Sequence, residues 1–226
     1  MELAPLLKAA EIGEFDRIRE LVEEGENINE TTESGLSALI LGAQEGNNEI
    51  VSYLLAQGAD PNQTTSMGGS ALTRAVENSN IKMMEELLNR GAKVGDLALI
   101  VAAREGNLQA IKLLVEHGAN VNARQRWGQT ALMLAARDGH TLVVKYLLDN
   151  GAKVELQDRN EESALSMALD NDHMEIVNQL RRAGAKAKTK KEDDTLEVEE
   201  DDEEFLEPDF DELGDEEEMP DEEDLE

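Results

Sequence analysis

Thr130-Ala131-Leu132-Met133-Leu134-Ala135-Ala136-Arg137, followed by Gly139-His140, by Thr141-Leu142-Val143-Val144-Lys145-Tyr146-Leu147-Leu148 and by Gly151-Ala152, is the stretch that decides the fold. Thr130 is a good N-cap, because its hydroxyl can accept from an amide of the first helical turn. Gly139 is a natural terminator, since glycine enters the left-handed conformation at a helix end without a Cβ penalty. In the second segment Val143, Val144, Leu147 and Leu148 have the spacing of one helical face. The pairs Ala135-Ala136 and Ala102-Ala103 keep the first helix slim, so that neighbouring units can approach closely. The stretch therefore predicts a short helix, a tight turn and a second short helix.

Working outward, the same punctuation recurs. Gly25, Gly58, Gly91, Gly118, Gly151 and Gly184 are separated by 33, 33, 27, 33 and 33 residues. Gly13, Gly46, Gly106 and Gly139 form a second series, and Gly35, Gly68 and Gly128 a third. Together they account for 13 of the 17 glycines, which makes them structural marks and not a phosphate loop. Met67-Gly68-Gly69-Ser70 also lacks the Lys and the spacing that such a loop needs. After each mark the chain is polar and turn-rich, as in Asn120 to Gly128, and reads as a β-turn or hairpin finger.

Helix, turn, helix and finger at a period of 33 resembles the ankyrin repeat, over roughly residues 3–185. The resemblance implies an all-α solenoid of helix-turn-helix units with β-turn or hairpin fingers. Six repeats are expected, at about 3–35, 36–68, 69–95, 96–128, 129–161 and 162–185, within a domain spanning 1–185. Lys8, Arg181 and Arg182 fit end caps, since a solenoid needs polar outer faces at its termini. The family's Thr-Pro-Leu-His becomes Thr130-Ala131-Leu132-Met133 or Ser37-Ala38-Leu39-Ile40, and its His is missing throughout. Stability is therefore expected to lean on packing, without that residue's hydrogen bonds between repeats. The 27-residue interval leaves only Lys93-Val94-Gly95-Asp96 before the next helix, six residues fewer than its neighbours. This shortening predicts a lost finger and a notch. A neutral surface deletion and a recognition feature both fit it.

Lys plus Arg number 21 and Asp plus Glu 51, for a formal net charge of −30. Residues 192–226 hold 23 acids and no base, so the preceding 191 residues are only mildly acidic, at −7. This excludes an electrostatically driven nucleic-acid binder and argues against docking on anionic lipid. No cysteine is present, which removes disulfides and thiolate chemistry and suits a cytoplasmic setting. Met1 to Pro5 carry no basic leader, and no run approaches the ~18 apolar residues of a membrane span.

Little points to chemistry. His140 and His173 lie 33 apart at one repeat position, a structural slot, and His117 ends a helix where a cation suits the dipole. No Ser or Cys with a matching His and Asp is placed to form a triad, and no histidine cluster has metal-ligand spacing. Asp209 to Gly214 imitates a calcium loop, but Leu213 and Pro220 stand where oxygen ligands are required. No enzyme, cofactor or metal is expected.

Ankyrin repeats generally bind partners with their finger tips and first helices, along the concave face. Carried over, the resemblance points to Glu33, Leu36 and Gln44 in the second repeat, and to Met67, Glu77 and Asn78 in the third. Arg104 follows in the fourth, and Arg126, Trp127, Gln129, Arg137 and Asp138 in the fifth. Trp127 is the only Trp, and Trp is enriched among interface anchors; the alternative is a ring lying on the adjacent finger. Charge varies along the stack: residues 1–68 hold 3 bases and 13 acids, residues 69–128 hold 8 bases and 6 acids.

The expected class is a monomeric protein-binding module with an acidic tail at 186–226. High charge and few apolar residues predict disorder there. Phe205, Leu206, Phe210 and Leu213 form a candidate binding motif within it, against the alternative of a purely solubilising tail. Three roles remain open: a plain adaptor, an escort chaperone for a basic client such as a ribosomal or nucleic-acid-binding protein, and a nucleic-acid mimic. Because the tail adds no periodic apolar face, deleting residues 186–226 is expected to leave the cooperative thermal melt, read by circular dichroism, largely intact. Loss of that melt would sink the division into stack and tail.

Overall fold

Serine and threonine start the first helix of most units. The hydroxyls of Ser37, Ser70, Thr130 and Ser163 accept from the amides of Ile40, Thr73, Met133 and Ser166 at 3.2–3.3 Å. Asn47, Asn80 and Asn107 start second helices in the same way, accepting from Ile50, Met83 and Ala110 at 2.9–3.2 Å. Each such cap is worth about 1 kcal/mol, a large contribution for helices of seven to nine residues.

The computed structural model describes residues 3–186, and among them twelve helices form six pairs. The pairs are α1 (Pro5–Ile12) with α2 (Phe15–Glu23), α3 (Ala38–Gln44) with α4 (Asn48–Ala56), and α5 (Ala71–Glu77) with α6 (Ile81–Asn89). They continue as α7 (Asp96–Arg104) with α8 (Leu108–Glu116), α9 (Ala131–Arg137) with α10 (Thr141–Asp149), and α11 (Ala164–Asp170) with α12 (Met174–Arg182). Odd-numbered helices pack on one another in chain order, and even-numbered helices form a second layer. The architecture is the all-α solenoid that the sequence predicts. Three isolated antiparallel bridges, Thr31 with Ser37, Thr64 with Ser70 and Gln157 with Ser163, close fingers.

Burial differs between the layers. Every residue from Ala38 to Ala43 and from Ala131 to Ala136 is buried, because a first helix has neighbours on both sides as well as its own partner. A second helix buries one face only, as with Val143, Val144 and Leu147 of α10. Lys8, Arg181 and Arg182 are exposed.

The turns between paired helices require a left-handed residue. Gly13, Gly46, Gly106 and Gly139 supply it with φ between +68° and +82°. Ser79 and Asp172 adopt it too, at +52° and +57°, in the two units whose turns lack glycine. At Gly106 and Gly139 a Cβ would also meet the ring of His140 or His173, at 2.5 and 2.8 Å.

Those histidines carry hydrogen bonds between repeats that the missing family histidine had put in doubt. His140 Nε2 donates to the Arg104 carbonyl at 2.8 Å, and His173 Nε2 to the Arg137 carbonyl at 3.0 Å. Asn78 Nδ2 reaches the Ala43 and Gln44 carbonyls at 3.0 and 2.9 Å. Asn29, Asn62 and Asn122 accept from the amides of Asp60, Lys93 and Lys153, each at 2.8 Å. Packing is thus supplemented by a polar strap at several junctions.

One junction has none. The shortened loop Lys93-Val94-Gly95 leads directly into α7, which has nine residues where α3, α5, α9 and α11 have seven, and whose N-cap Gly95 offers no side chain. Among the described residues no hydrogen bond joins the α5–α6 pair to the α7–α8 pair, which meet by packing alone. Gly106→Ala is expected to lose about 1–3 kcal/mol, through left-handed strain and displacement of His140. Ser79→Gly, by contrast, should gain about 0.5–1 kcal/mol. Urea denaturation of the two variants checks both signs.

Candidate protein-interaction site

Each finger is set by a short local bond. Thr32 Oγ1 accepts from the Leu36 amide, Thr65 Oγ1 from Gly69 and Asp158 Oδ1 from Glu162, all at 3.0 Å. In the finger that carries Trp127, Gln125 takes this position. Its amide donates to the Gln129 carbonyl at 3.0 Å, and its Nε2 donates to Gln129 Oε1 at 2.5 Å. Adjacent fingers are tied edge to edge, by Ser66 N–H to the Ser34 carbonyl at 2.9 Å and Arg159 N–H to the Trp127 carbonyl at 3.0 Å. The Arg124 guanidinium adds bonds to the Gly128 and Gln157 carbonyls.

This framework sorts the candidate residues. Glu33 is exposed on its finger, and Leu36 is half-buried against the core. Gln44 is exposed, with its carbonyl taken by Asn78, whose side chain is itself spent on that strap. Gln129 is spent on closing its finger. Glu77 pairs with Arg74 at 2.8 Å, and Arg104 with Glu105 at 3.1 Å. Arg137 grips Asp138 through two bonds of 2.8 and 3.0 Å. That hydrogen bond raises the Arg137 pKa above the ordinary arginine value, against the smaller opposing effect of burial. These four charges are largely answered within the protein. The motif residues Phe205, Leu206, Phe210 and Leu213 lie outside the described residues.

Met67 and Trp127 stand apart. Their relative exposures are 90 % and 60 %, so large apolar surfaces are left in water. Trp127 has Arg126 and Arg159 on its ring, each guanidinium 5.8 Å from the ring centroid. The ring therefore does touch the next finger through Arg159, yet remains mostly open. Neither arginine has a carboxylate within ion-pair distance among the described residues. Both apolar residues line one cleft of about 910 Å³, where the shortened loop leaves the space of a finger. Leu36, Thr73, Arg74 and Leu97 also line it. The interval of 27 pointed to a notch; that Met67 and Trp127 share it could be found only by counting both fingers from the gap.

No group of three or more His, Asp or Glu among the described residues could hold a metal ion. No helix among them is long and apolar enough to cross a membrane.

Comparison with known proteins agrees with this geometry. The family profile described as ankyrin repeats in three copies matches residues 6–98, 60–125 and 99–191. The chain belongs to the ankyrin-repeat family. Among solved structures, an ankyrin repeat domain from Acinetobacter baumannii is 29% identical with a TM-score of 0.71, covering 80% of this chain and 98% of that one. The human ASB11 ankyrin repeat domain is 25% identical with a TM-score of 0.69, covering 83% and 86%. A chain in the structure of a predatory endopeptidase from Bdellovibrio bacteriovorus in complex with an immunity protein is 27% identical with a TM-score of 0.69, covering 80% and 99%. A search of curated protein sequences finds no match.

Trp127 reports on its own surroundings because it is the only Trp. The two guanidinium groups over its ring should concentrate anions locally despite the chain's net negative charge, over the ~10 Å reach of the field at moderate salt. Iodide is expected to quench its fluorescence more strongly than caesium at low salt. Replacing Arg126 and Arg159 with Glu should reverse the order. Equal quenching by both ions in the unaltered protein would show that the arginines do not set the local potential.

Proposed function

We propose that the stack is a non-enzymatic protein-binding module that engages a partner along its fingers and the ends of its first helices. The observation that carries this reading is the exposure of Met67 and Trp127 on finger tips, with Arg126 and Arg159, unpaired among the described residues, beside Trp127. A large exposed aromatic next to arginine is the composition of an interface anchor. A similar chain in a complex between an endopeptidase and an immunity protein supports the use of this architecture to hold another protein. Glu33, Leu36, Gln44, Glu77, Arg104, Arg137 and Asp138 contribute the surrounding rim, and Asn78 and Gln129 keep that rim rigid. The acidic tail supplies a second, electrostatic element, with Phe205, Leu206, Phe210 and Leu213 as its apolar contacts. The protein acts as a monomer in the cytoplasm.

A second reading makes the partner a basic client that the protein escorts until assembly. It is favoured by the 13 acids against 3 bases of residues 1–68, together with the 23 acids of residues 192–226. Salt-sensitive capture of basic proteins that fails without residues 192–226 would select it over the plain adaptor.

The test is affinity purification with the full-length chain, followed by measurement of the captured partner's Kd against variants on two faces. Trp127→Ala is expected to weaken binding by about 1–3 kcal/mol with stability nearly unchanged. Leu142→Ala, on the exposed side of a second helix, should leave binding intact. Loss of binding in the second variant and not the first would move the interface to the other face.

A further inference from the structure

The fingers form a ladder with a rung missing. Where fingers adjoin, a carbonyl at one tip accepts from an amide of the next: Ser34 from Ser66, and Trp127 from Arg159. Met67 occupies in its finger the place that Ser34 and Trp127 hold in theirs, and Arg126 occupies the place of Ser66 and Arg159. Between the Met67 finger and the Arg126 finger the six-residue shortening has removed the intermediate one. The Met67 carbonyl and the Arg126 amide accordingly have no backbone partner among the described residues. The two ends of the interrupted ladder are thus an open acceptor on one wall of the cleft and an open donor on the other.

The side chains of the cleft match those ends. Met67 and Trp127 offer the two most finger-borne apolar surfaces, and Leu36 and Leu97 extend the apolar lining. The volume of about 910 Å³ is at the upper end of the ~300–1,000 Å³ range of sites that enclose a ligand. Charge is asymmetric. On the Trp127 side Arg126 lines the cleft and Arg159 lies over the same ring, and neither has a carboxylate within ion-pair distance among the described residues, while on the other side Arg74 is already paired with Glu77. Asp96, also lining the cleft, sits in the first turn of α7, where its charge complements the helix dipole.

We propose that this cleft receives an extended segment of a protein partner that stands in for the absent finger. The segment carries a large apolar side chain between Met67 and Trp127, with Asp or Glu on the side that meets Arg126 and Arg159. Its backbone closes the ladder: one of its amides donates to the Met67 carbonyl, and one of its carbonyls accepts from the Arg126 amide. Main-chain pairing of this kind supplies affinity, and the apolar and acidic side chains supply selectivity. The proposal rests on the protein-binding reading of the stack and adds the site and the chemistry of the bound segment.

The experiment uses a phage-displayed library of random peptides, panned against the full-length protein. Enriched peptides should carry an aromatic or large aliphatic residue with acids on one side. A synthetic peptide of the winning sequence should then bind about 10–100-fold more weakly to Trp127→Ala. N-methylation of one particular peptide amide should weaken it about 3–10-fold, as the loss of a single hydrogen bond does. A variant with six residues inserted between Lys93 and Val94, which refills the finger, should not bind it at all. Met67→Lys serves as the point variant should the insertion disturb the melt. Enrichment of no sequence, enrichment of basic sequences, or binding to the insertion and Met67→Lys variants as tight as to the unaltered protein would overturn the proposal. A purified partner that needs Trp127 yet binds the insertion variant normally would overturn it too, while leaving the protein-binding reading in place.

Discussion

A pair of helices seven to nine residues long cannot bury its own apolar surface, and the rest of the structure follows from that constraint. Leu39, Ile40 and Leu41 of one first helix are all buried although they point in different directions, which is possible only with a neighbour on each side. Isolated helices of this length are marginal in water, so their stability is borrowed from the adjoining unit. The alanines that thin the first helices, such as Ala102 and Ala135, exist for the same reason: they allow the layers to approach. The fingers then project from a support whose rigidity comes from stacking, and side chains at their tips are free of any packing duty.

Much of this was legible in the sequence because the constraint repeats. Thr130 and Ser37 announce helix starts by chemistry that acts within four residues, and the structure shows the same caps. What was not legible lies where the period is kept by a different residue. Ser79 and Asp172 hold the left-handed turn without glycine, so a count of glycines passes over them. His140 and His173 were visible as a recurring slot, but that each reaches back to a carbonyl 36 residues earlier depends on stacking geometry, which periodicity does not encode. Repeat offset alone places Asn78 and Gln129 among the candidate contacts, whereas their side chains are held by hydrogen bonds within the protein.

The interaction surface shows the same division. Position in the repeat identifies which residues stand on fingers, such as Met67, Arg126 and Trp127, and which end first helices, such as Glu77, Arg104 and Arg137. It does not say which charges are already answered. The Arg137–Asp138 and Arg104–Glu105 pairs join sequence neighbours, and exposed pairs of this kind contribute ~0–1 kcal/mol to stability. Their larger effect is to lower the charge offered to a partner at the ends of the first helices. The surplus is left around the single Trp.

The seam between the α5–α6 and α7–α8 pairs bears on how this chain can change over generations. Effects of substitutions combine independently when the sites share no network, and they interact when a common hydrogen-bond system or cavity joins them. At the junctions on either side of this seam, straps such as Asn62 to Lys93 and His140 to Arg104 link neighbouring units, so that a change in one alters the tolerance of the next. Among the described residues no polar strap crosses the seam itself, and the pairs meet there by packing. Each half of the stack can therefore accumulate substitutions under its own rules, and a lineage can retune the acidic first repeats without renegotiating the repeats that carry Trp127.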